Sequence, residues 1–307
     1  MFQRSFLLLL CAMAPGLLAV AQQAKDQGVH TATVRFDGID RKYMYYIPSG
    51  YDAKARLPIV FFIHGYGASA QIGVDVLGPQ FHRRADRDGA IVVYPEATSK
   101  HWNDRLGGSF PATDTIDDVA YISHLIDLFI NDFKGDPRRV YVSGSSNGGM
   151  MTYRLSVDIP GKIAAIAPFI SAISPQVAAA SVDAEPIPVI ITSGTADSVI
   201  RWDGGPVDVI NTPRLLSGDQ NVAYWVARNG TKTSAKVRVL PDIAPDDQST
   251  VEIQHYPGKY DVVLYKIIGG AHRHPTLREP GKPIVAGQNM DYNSFEMVWD
   301  FMMRYKK

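Results

Sequence analysis

The sequence contains one cysteine, Cys11, close to the N-terminus. If the N-terminal segment is removed on export, the mature protein has neither a disulfide nor a thiol that could serve as a nucleophile. An excess of either charge is also absent, because 31 Lys and Arg are balanced by 31 Asp and Glu. This balance gives no indication that nucleic acid or an anionic membrane is a partner.

Residues 1–21 have the pattern of a secretory signal. Arg4 gives a positive start, residues 6–12 form an apolar stretch, and residues 19–21 (Ala-Val-Ala) have the small residues typical of a cleavage site. The apolar stretch is too short and too interrupted to span a bilayer. We therefore expect a signal peptide at residues 1–21 and a secreted mature protein, either periplasmic or extracellular.

Cys11 leaves a second interpretation open, in which the chain is a lipoprotein attached through this residue. Leu10 is larger than the residue expected before a lipidated cysteine, so the secretory interpretation is favoured. The remaining residues, 22–307, are enough to bury a large core without disulfides. They contain no repeat, low-complexity tract or linker. The sequence thus predicts a single domain over residues 22–307.

Strand and helix patterns alternate along the chain. Residues 30–36 and 42–47 alternate apolar and polar side chains, which predicts two leading antiparallel strands. Continuous apolar runs predict central strands buried on both faces, at residues 58–63, 90–94, 163–169, 187–192 and 262–268. Helical patterns lie at residues 72–88, 116–133, 219–229 and 293–305. This order predicts an α/β three-layer sandwich with a mostly parallel sheet, whose functional residues follow the carboxyl ends of strands.

Residues 140–149 combine a strand of β-branched and aromatic residues with a Gly-x-Ser-x-Gly turn and the start of a helix. A serine on so tight a turn has a strained backbone, and Gly144 and Gly148 leave room for it because they lack a Cβ. The turn exposes the hydroxyl of Ser146 where a substrate carbonyl can reach it. We therefore predict that Ser146 is a nucleophile; the alternative is a purely structural Gly/Ser turn.

An acid and a histidine follow later strands, in the chain order that α/β-hydrolases use. Asp197 follows the predicted strand at 187–192, and His272 follows the predicted strand at 262–268. The imidazole would take the proton of Ser146, and the carboxylate would hold the imidazole in the required tautomer. The order Ser146, Asp197, His272 therefore predicts a catalytic triad for acyl transfer.

Other residues could take these roles. Asp203 and Asp208 are alternative acids, although both lie further from the strand end. His255 belongs to an alternating pattern and is better explained as an ordinary strand residue. His274 forms a His-x-His pair with His272 that could bind a metal, but no further group of ligands stands out. The metal interpretation is therefore disfavoured.

The segment His-Gly-Tyr-Gly at residues 64–67 directly follows a predicted central strand. Hydrolases of this plan present a backbone N–H at this place to the negative charge that develops on the carbonyl oxygen. We predict an oxyanion hole made by the backbone N–H groups of Tyr66 and Asn147. The alternative is that the glycines only allow a tight turn. His64 is expected to hold the loop rather than to react.

With these features in place, the sequence resembles the secreted feruloyl esterase and polyhydroxybutyrate depolymerase-like family of α/β-hydrolases. The likeness covers nearly all of the mature chain, with shared segments at residues 86–95, 102–103, 116–119, 144–151, 194–197 and 270–272. The resemblance implies the triad Ser146, Asp197 and His272, an acyl-enzyme, no metal and no organic cofactor. It also implies hydrolysis of an ester, either a feruloyl or acetyl ester of plant polysaccharide or a hydroxyalkanoate polyester.

The sequence departs from the family pattern beside the predicted histidine and the predicted acid. The family usually has Gly-Gly-Gly-His-x-Trp-Pro, whereas residues 269–275 read Gly-Gly-Ala-His-Arg-His-Pro, so His274 replaces an aromatic residue. The family often has Val-Pro-Tyr after the acid, whereas Trp202 is the aromatic residue found there. His274, Trp202 and Trp102 are therefore candidate substrate-binding residues. For the two tryptophans, a plain packing role is the alternative.

A secreted serine carboxylesterase is the favoured function. The alternative is a polyhydroxybutyrate depolymerase, but the resemblance implies that degraders of insoluble polymer carry a surface-binding module, and no linker to one follows the helix near residue 305. We therefore expect a soluble ester, an oligosaccharide or a loosened polymer chain as the substrate. The intact triad disfavours a non-catalytic binding protein, and the lack of a capping or propeller domain disfavours a serine peptidase.

Overall fold

The computed structural model describes residues 26–52, 54–106, 115–181, 184–207, 214–279, 281 and 283–307. The predicted signal peptide with Cys11, and the alternative acid Asp208, lie outside the described residues. The described part is organised around one ten-stranded sheet. Its strands are β1 (Gly28–Phe36), β2 (Ile39–Ile47), β3 (Leu57–Ile63), β4 (Ile91–Pro95), β5 (Gly135–Ser145), β6 (Ala165–Phe169), β7 (Val189–Gly194), β8 (Lys236–Val239), β9 (Thr250–Tyr256) and β10 (Val262–Ile268).

The sheet is parallel in its centre and antiparallel at both ends. Its strand order is β1-β2-β4-β3-β5-β6-β7-β10-β9-β8. Every pairing from β4 through β3, β5, β6 and β7 to β10 is parallel. The pairings that add β1 and β2 at one end and β9 and β8 at the other are antiparallel. The predicted mostly parallel sheet with two leading antiparallel strands is confirmed.

Helices cover both faces of the sheet. They are α1 (Ala70–Asp88), α2 (Asp118–Asn131), α3 (Asn147–Asp158), α4 (Pro175–Ala179), α5 (Gly218–Asn229) and α6 (Ser294–Met302). The apolar sides of α1 and α6 pack on one face, with Phe81 and Trp299 in the same buried cluster. The apolar sides of α2, α3 and α5 pack on the other face, with Phe129, Tyr153 and Trp225 buried there. The result is the three-layer sandwich of an α/β-hydrolase.

Burial explains why the central strands form where they do. Every residue of β3 and every residue of β4 is buried, as their continuous apolar sequences predicted. By contrast, β8 is exposed at all four residues, so its sequence shows no burial pattern from which the strand could be predicted.

Among the described residues, no helix combines the length and the apolar character needed to cross a bilayer.

A buried ion pair ties the antiparallel edge of the sheet to α2. The Arg41 guanidinium donates to a carboxylate oxygen of Asp118 at 2.6 Å, and both side chains are almost fully buried. The guanidinium also lies 3.8 Å from the centre of the Tyr121 ring. The second Asp118 oxygen accepts from the backbone N–H of Asn103 at 2.8 Å. The pair therefore also fixes the loop that leads into the candidate active site.

Replacing Arg41 with methionine is expected to lower the free energy of unfolding by about 3–5 kcal/mol, because Asp118 would remain buried without a compensating charge. Urea denaturation measures the change. Arg35→Met is the matched control, since the Arg35–Asp40 pair is at 2.9 Å but both side chains are exposed. Its removal should change the free energy by about 1 kcal/mol or less. If both variants lose the same free energy of unfolding, the buried Arg41–Asp118 pair does not stabilise the fold more than an exposed pair does.

Candidate active site

Ser146 occupies a strained turn between β5 and α3. Its backbone has φ 54° and ψ −119°, in the region that side-chain-bearing residues rarely adopt. The Ser146 N–H donates to the carbonyl oxygen of Phe169 at 3.0 Å, which anchors the turn to the end of β6. Residues 140–149 thus form the strand, turn and helix that the sequence predicted.

The glycines of the turn are required by close backbone approaches. A Cβ on Gly144 would lie 2.3 Å from the Gly148 carbonyl oxygen. A Cβ on Gly148 would lie 2.1 Å from the carbonyl oxygen of Ile63 and 2.4 Å from that of His64. No side chain fits at such distances, so only glycine lets α3 start directly against the end of β3.

Asp197 and His272 are brought into contact at the carboxyl ends of β7 and β10. Nδ1 of His272 lies 2.7 Å from Oδ2 of Asp197. The other oxygen, Oδ1, accepts from the backbone N–H groups of Val199 and Ile200, each at 2.8 Å. Asp197 is buried, and its carboxylate is held in one orientation by these three bonds. The imidazole therefore carries its proton on Nδ1, and Nε2 has a lone pair to offer.

The loops that carry these two residues are joined by their backbones. The N–H of Thr195 donates to the Ile267 carbonyl oxygen, and the N–H of Ala196 donates to that of Gly270, each at 2.9 Å. In return, the N–H of Gly269 donates to Oγ1 of Thr195 at 3.0 Å. The acid and the histidine are therefore positioned as one unit by the parallel pairing of β7 and β10.

Ser146 and His272 line the same cavity, which has a volume of about 290 Å³. No hydrogen bond joins the Ser146 hydroxyl to His272 among the bonds of the described residues, although both side chains face this space. Hydrogen bonds of this kind are often long without a substrate and tighten when one binds. Half of the remaining lining residues are apolar: Phe62, Ala68, Ile72, Val76, Leu77 and Ile170.

The two residues predicted to form an oxyanion hole lie beside Ser146. Asn147 is the first residue of α3, where a backbone N–H has no partner within its own helix. Tyr66 is in the loop after β3, and it lines the cavity together with Gly65 and Ser146. A Cβ on Gly65 would lie 3.4 Å from the Ser146 Cβ, so this loop passes directly against the serine.

The Asn147 side chain links the start of α3 to the loop at residues 101–104. Its carbonyl oxygen accepts from the Trp102 N–H at 2.9 Å, and its amide nitrogen donates to Asp104 Oδ2 at 2.7 Å. Asp104 is buried, and burial raises the pKa of its carboxyl to about 6. Asp104 carries no signal in the sequence, because its importance depends on a contact between segments more than forty positions apart.

His64 holds the loop after β3 in place. Its Nε2 accepts from the Ala97 N–H at 3.1 Å, so Nδ1 carries the proton and donates to the Gly65 carbonyl oxygen at 2.8 Å. Burial lowers the pKa of His64, which keeps the ring neutral. This geometry fits the positioning role expected for His64.

The two candidate tryptophans are not part of the cavity wall. Trp102 is 0% exposed, and its indole N–H donates to the His64 carbonyl oxygen at 2.9 Å. The ring of Trp202 packs beside the core with Lys266 at 4.5 Å from its centre, and it too is absent from the cavity lining. Full burial favours the packing alternative for Trp102. Trp202 is half-buried, so its substrate-binding role stays a prediction.

His274 does line the cavity, as predicted, next to His272. His255 is a residue of β9, 3.2 Å from Asp261, in agreement with the strand interpretation. Asp203 is 80% exposed and its nearest charged partner is Arg201, so the structure gives it no contact with His272. Within the part of the chain that the structure describes, no group of three or more His, Cys, Asp or Glu side chains could hold a metal ion.

The chain is similar in sequence and in fold to known esterases. Residues 41–217 match the family described as esterase PHB depolymerase. Feruloyl esterase D of Neurospora crassa is 24% identical over 98% of this chain and 97% of its own length. A bifunctional acetylxylan esterase/xylanase of Neocallimastix patriciarum is 31% identical over 55% of this chain, which spans only 23% of that protein. Among solved structures, an acetyl xylan esterase from Aspergillus awamori has a TM-score of 0.55 and 16% identity, covering 80% of this chain and 94% of its own.

Proposed function

Because this chain belongs to the esterase PHB depolymerase family of carboxylic-ester hydrolases, we propose that it is a serine carboxylesterase in which Ser146 is the nucleophile, His272 the base and Asp197 the acid. The observation that carries the proposal is that His272, in contact with the buried Asp197, lines the same cavity as Ser146. The strained turn at Ser146 supports it, because such turns hold a nucleophile clear of the sheet.

In the proposed reaction, Ser146 Oγ attacks the ester carbonyl carbon while His272 Nε2 takes the hydroxyl proton. His272 then gives this proton to the leaving alcohol, and the acyl group remains on Ser146 as an ester. Water, activated by His272 in the same way, attacks this acyl-enzyme and releases the acid. Asp197 keeps Nδ1 of His272 protonated and stabilises the imidazolium as it forms.

The backbone N–H groups of Tyr66 and Asn147 are proposed to stabilise the negative charge on the carbonyl oxygen. Asn147 is suited to this role because its side chain is fixed by Trp102 and Asp104, so its amide needs no rearrangement during the reaction. The Tyr66 loop is fixed by His64 and by the Trp102 indole. Each donor of this kind typically contributes about 10²–10³-fold to the rate.

The cavity supports a short or narrow acyl group as the part of the substrate that it encloses. At about 290 Å³ it is near the lower end of the range for small-molecule sites. Tyr66, Ile72 and Val76 form an apolar rim that is about half exposed, where the alcohol part of the ester can extend into solvent. Together with the named activities of the relatives, this supports acetyl or feruloyl esters of plant polysaccharide as substrates, with hydroxybutyrate oligomers as the alternative.

Export is part of the proposal. It rests on the signal-like composition of residues 1–21, described above, and on no structural observation. Residues 22–307 are proposed to act as one catalytic domain, since a single sheet carries all the candidate site residues. The proposed chemistry requires neither a metal nor an organic cofactor, because the side chains and backbone named above supply each step.

A fluorophosphonate probe tests the proposal directly, because it phosphonylates only activated serines. We expect one adduct per chain, located at Ser146 by peptide mass spectrometry, with parallel loss of p-nitrophenyl acetate hydrolysis. Preincubation with EDTA should leave both reactions unchanged. Rates of hydrolysis of methyl ferulate, acetylated xylan and hydroxybutyrate oligomers then rank the substrate classes. Adduct formation at another serine, or hydrolysis that survives complete labelling, would overturn the assignment of Ser146.

A further inference from the structure

One polar pair interrupts the apolar wall of the Ser146 cavity. Oγ of Ser145 lies 2.9 Å from Nε2 of His274, and both residues line the cavity. Their neighbours in the wall include Phe62, Leu77 and Ile170. Neither residue has a part in the proposed transfer of the proton from Ser146 to the leaving alcohol, so the pair needs a different explanation.

The His274 ring is held firmly in this wall. Its centre lies 4.8 Å from the centre of the Phe169 ring and 5.0 Å from that of Phe295. Its second nitrogen, Nδ1, is buried and has no hydrogen-bond partner in the structure. Burial, reinforced by the neighbouring His272, lowers the pKa of His274 to about 3. The imidazole is therefore neutral whenever the pH is near neutrality, and it carries a single N–H.

The pair always has one hydrogen more than its own bond uses. A neutral imidazole and a hydroxyl together hold two polar hydrogens, and the Ser145–His274 bond takes one. If Nε2 donates, the Ser145 hydroxyl hydrogen has no acceptor among the described residues. If Ser145 donates, the remaining hydrogen is on Nδ1, which is buried without a partner. In the first arrangement the spare hydrogen is on the Ser145 hydroxyl, which is half-buried and lines the cavity, so a ligand in the cavity can accept it. In the second arrangement the spare hydrogen is on Nδ1, which is buried and out of reach of a ligand.

The position of the pair indicates which part of an ester it meets. The His272 side chain is 22% exposed, so the leaving alcohol that it protonates departs towards solvent. Ser145 directly precedes Ser146, and the His274 ring that bonds to it packs against the rings of Phe169 and Phe295. The acyl group, which stays bonded to Ser146 after the alcohol leaves, is the part that remains against this wall.

We propose that the Ser145 hydroxyl, with His274 Nε2 donating to it, donates a hydrogen bond to an oxygen atom carried by the acyl group, which makes the two residues determinants of acyl specificity. The preferred acyl groups would bear a hydroxyl, ether or keto oxygen, and an all-carbon acyl group of the same shape would be a poorer substrate. This inference rests on the proposed function, because it assumes that Ser146 forms the acyl-enzyme in this cavity.

The test compares substrates that differ only by one oxygen. One pair is p-nitrophenyl 3-methoxypropanoate and p-nitrophenyl pentanoate, and the other is p-nitrophenyl 3-hydroxybutanoate and p-nitrophenyl 3-methylbutanoate. For each pair, the ratio of kcat/KM values is divided by the ratio of hydroxide-catalysed rates, which removes intrinsic reactivity. We expect a corrected ratio of about two- to tenfold in favour of the oxygen-bearing ester, the range of one net hydrogen bond.

Two variants test whether the pair causes the preference. Ser145→Ala removes the hydroxyl, and His274→Phe replaces the imidazole by a ring of similar size that cannot donate. In both variants, the corrected ratio should fall to about one, even if the kcat/KM values of the two esters in a pair both change. A purely structural role would lower both rates together and leave the ratio unchanged. If His274→Phe does not fold, Ser145→Ala alone decides.

The outcomes separate the two proposals. Hydrolysis by the natural protein with a corrected ratio of one, or a ratio that persists in both variants, overturns the role of the pair but leaves the esterase assignment intact. Failure of the natural protein to hydrolyse any of the four esters overturns the proposed function and the inference with it.

Discussion

The Ser146→Ala variant should lose about 10⁶-fold in kcat for every ester that the natural protein hydrolyses, because it removes the hydroxyl proposed to form the acyl-enzyme. The remaining rate would come from the oxyanion-hole donors alone, which do not need the hydroxyl. Alanine also has a Cβ, so it places the same demand on the positive φ of this position and should leave the turn folded. Steady-state assays with p-nitrophenyl acetate, together with a thermal melt, measure both parts of this prediction.

Ser234→Ala is the control for this loss, because Ser234 is exposed and distant in sequence from every strand end that carries a candidate residue. Its kcat should match that of the natural protein. Retention of more than a hundredth of the natural rate in the Ser146 variant, with the fold intact, would mean that another residue is the nucleophile.

The Asp197→Asn variant should lose about 10⁴-fold in kcat while keeping its stability. The loop bonds from Val199 and Ile200 end on Oδ1, which the asparagine carbonyl can replace. The amide group would then face His272 Nδ1 and donate to it. This forces the imidazole proton onto Nε2, the nitrogen that must accept the proton of Ser146. We therefore expect the variant to stay folded but to lack an imidazole nitrogen that can accept the proton of Ser146.

Asp203→Asn is the matched control, since Asp203 is the other described aspartate that the sequence offered as the acid. Its side chain is 80% exposed and sits 3.5 Å from Arg201, so its activity should be unchanged. A larger loss of kcat in this variant than in Asp197→Asn would reverse the assignment of the acid. NMR of the His272 Nδ1 proton provides a second readout, because its resonance should disappear or shift only in the Asp197 variant.

Much of the fold follows from the sequence because the central strands are buried on both faces. The apolar run at residues 58–63 became β3, which begins one residue earlier. The run at residues 262–268 became β10 with the same bounds. β8 and the short helix α4 escaped prediction for a physical reason. β8 is exposed at every residue, and α4 has only five residues, so neither shows the periodicity that burial imposes.

The part of the candidate site that could be predicted is the set of residues that directly follow parallel strands. Parallel strands bring their carboxyl ends to one edge, so Ser146, Asp197 and His272 could be identified from strand order. The contacts that surround them could not. The Ser145–His274 bond joins residues 129 positions apart, and the buried Trp102 indole donates to the carbonyl oxygen of His64, 38 positions earlier. Such contacts are fixed by packing, for which a single sequence carries no local signal.

The position of β10 beside β7 has a consequence for a truncated chain. These strands are neighbours in the sheet, yet β8 and β9 are synthesised between them. A chain that ends after β7 contains the serine turn and Asp197 but not the histidine that we propose as the base. Any proteolytic fragment that ends before Val262 is therefore expected to be inert.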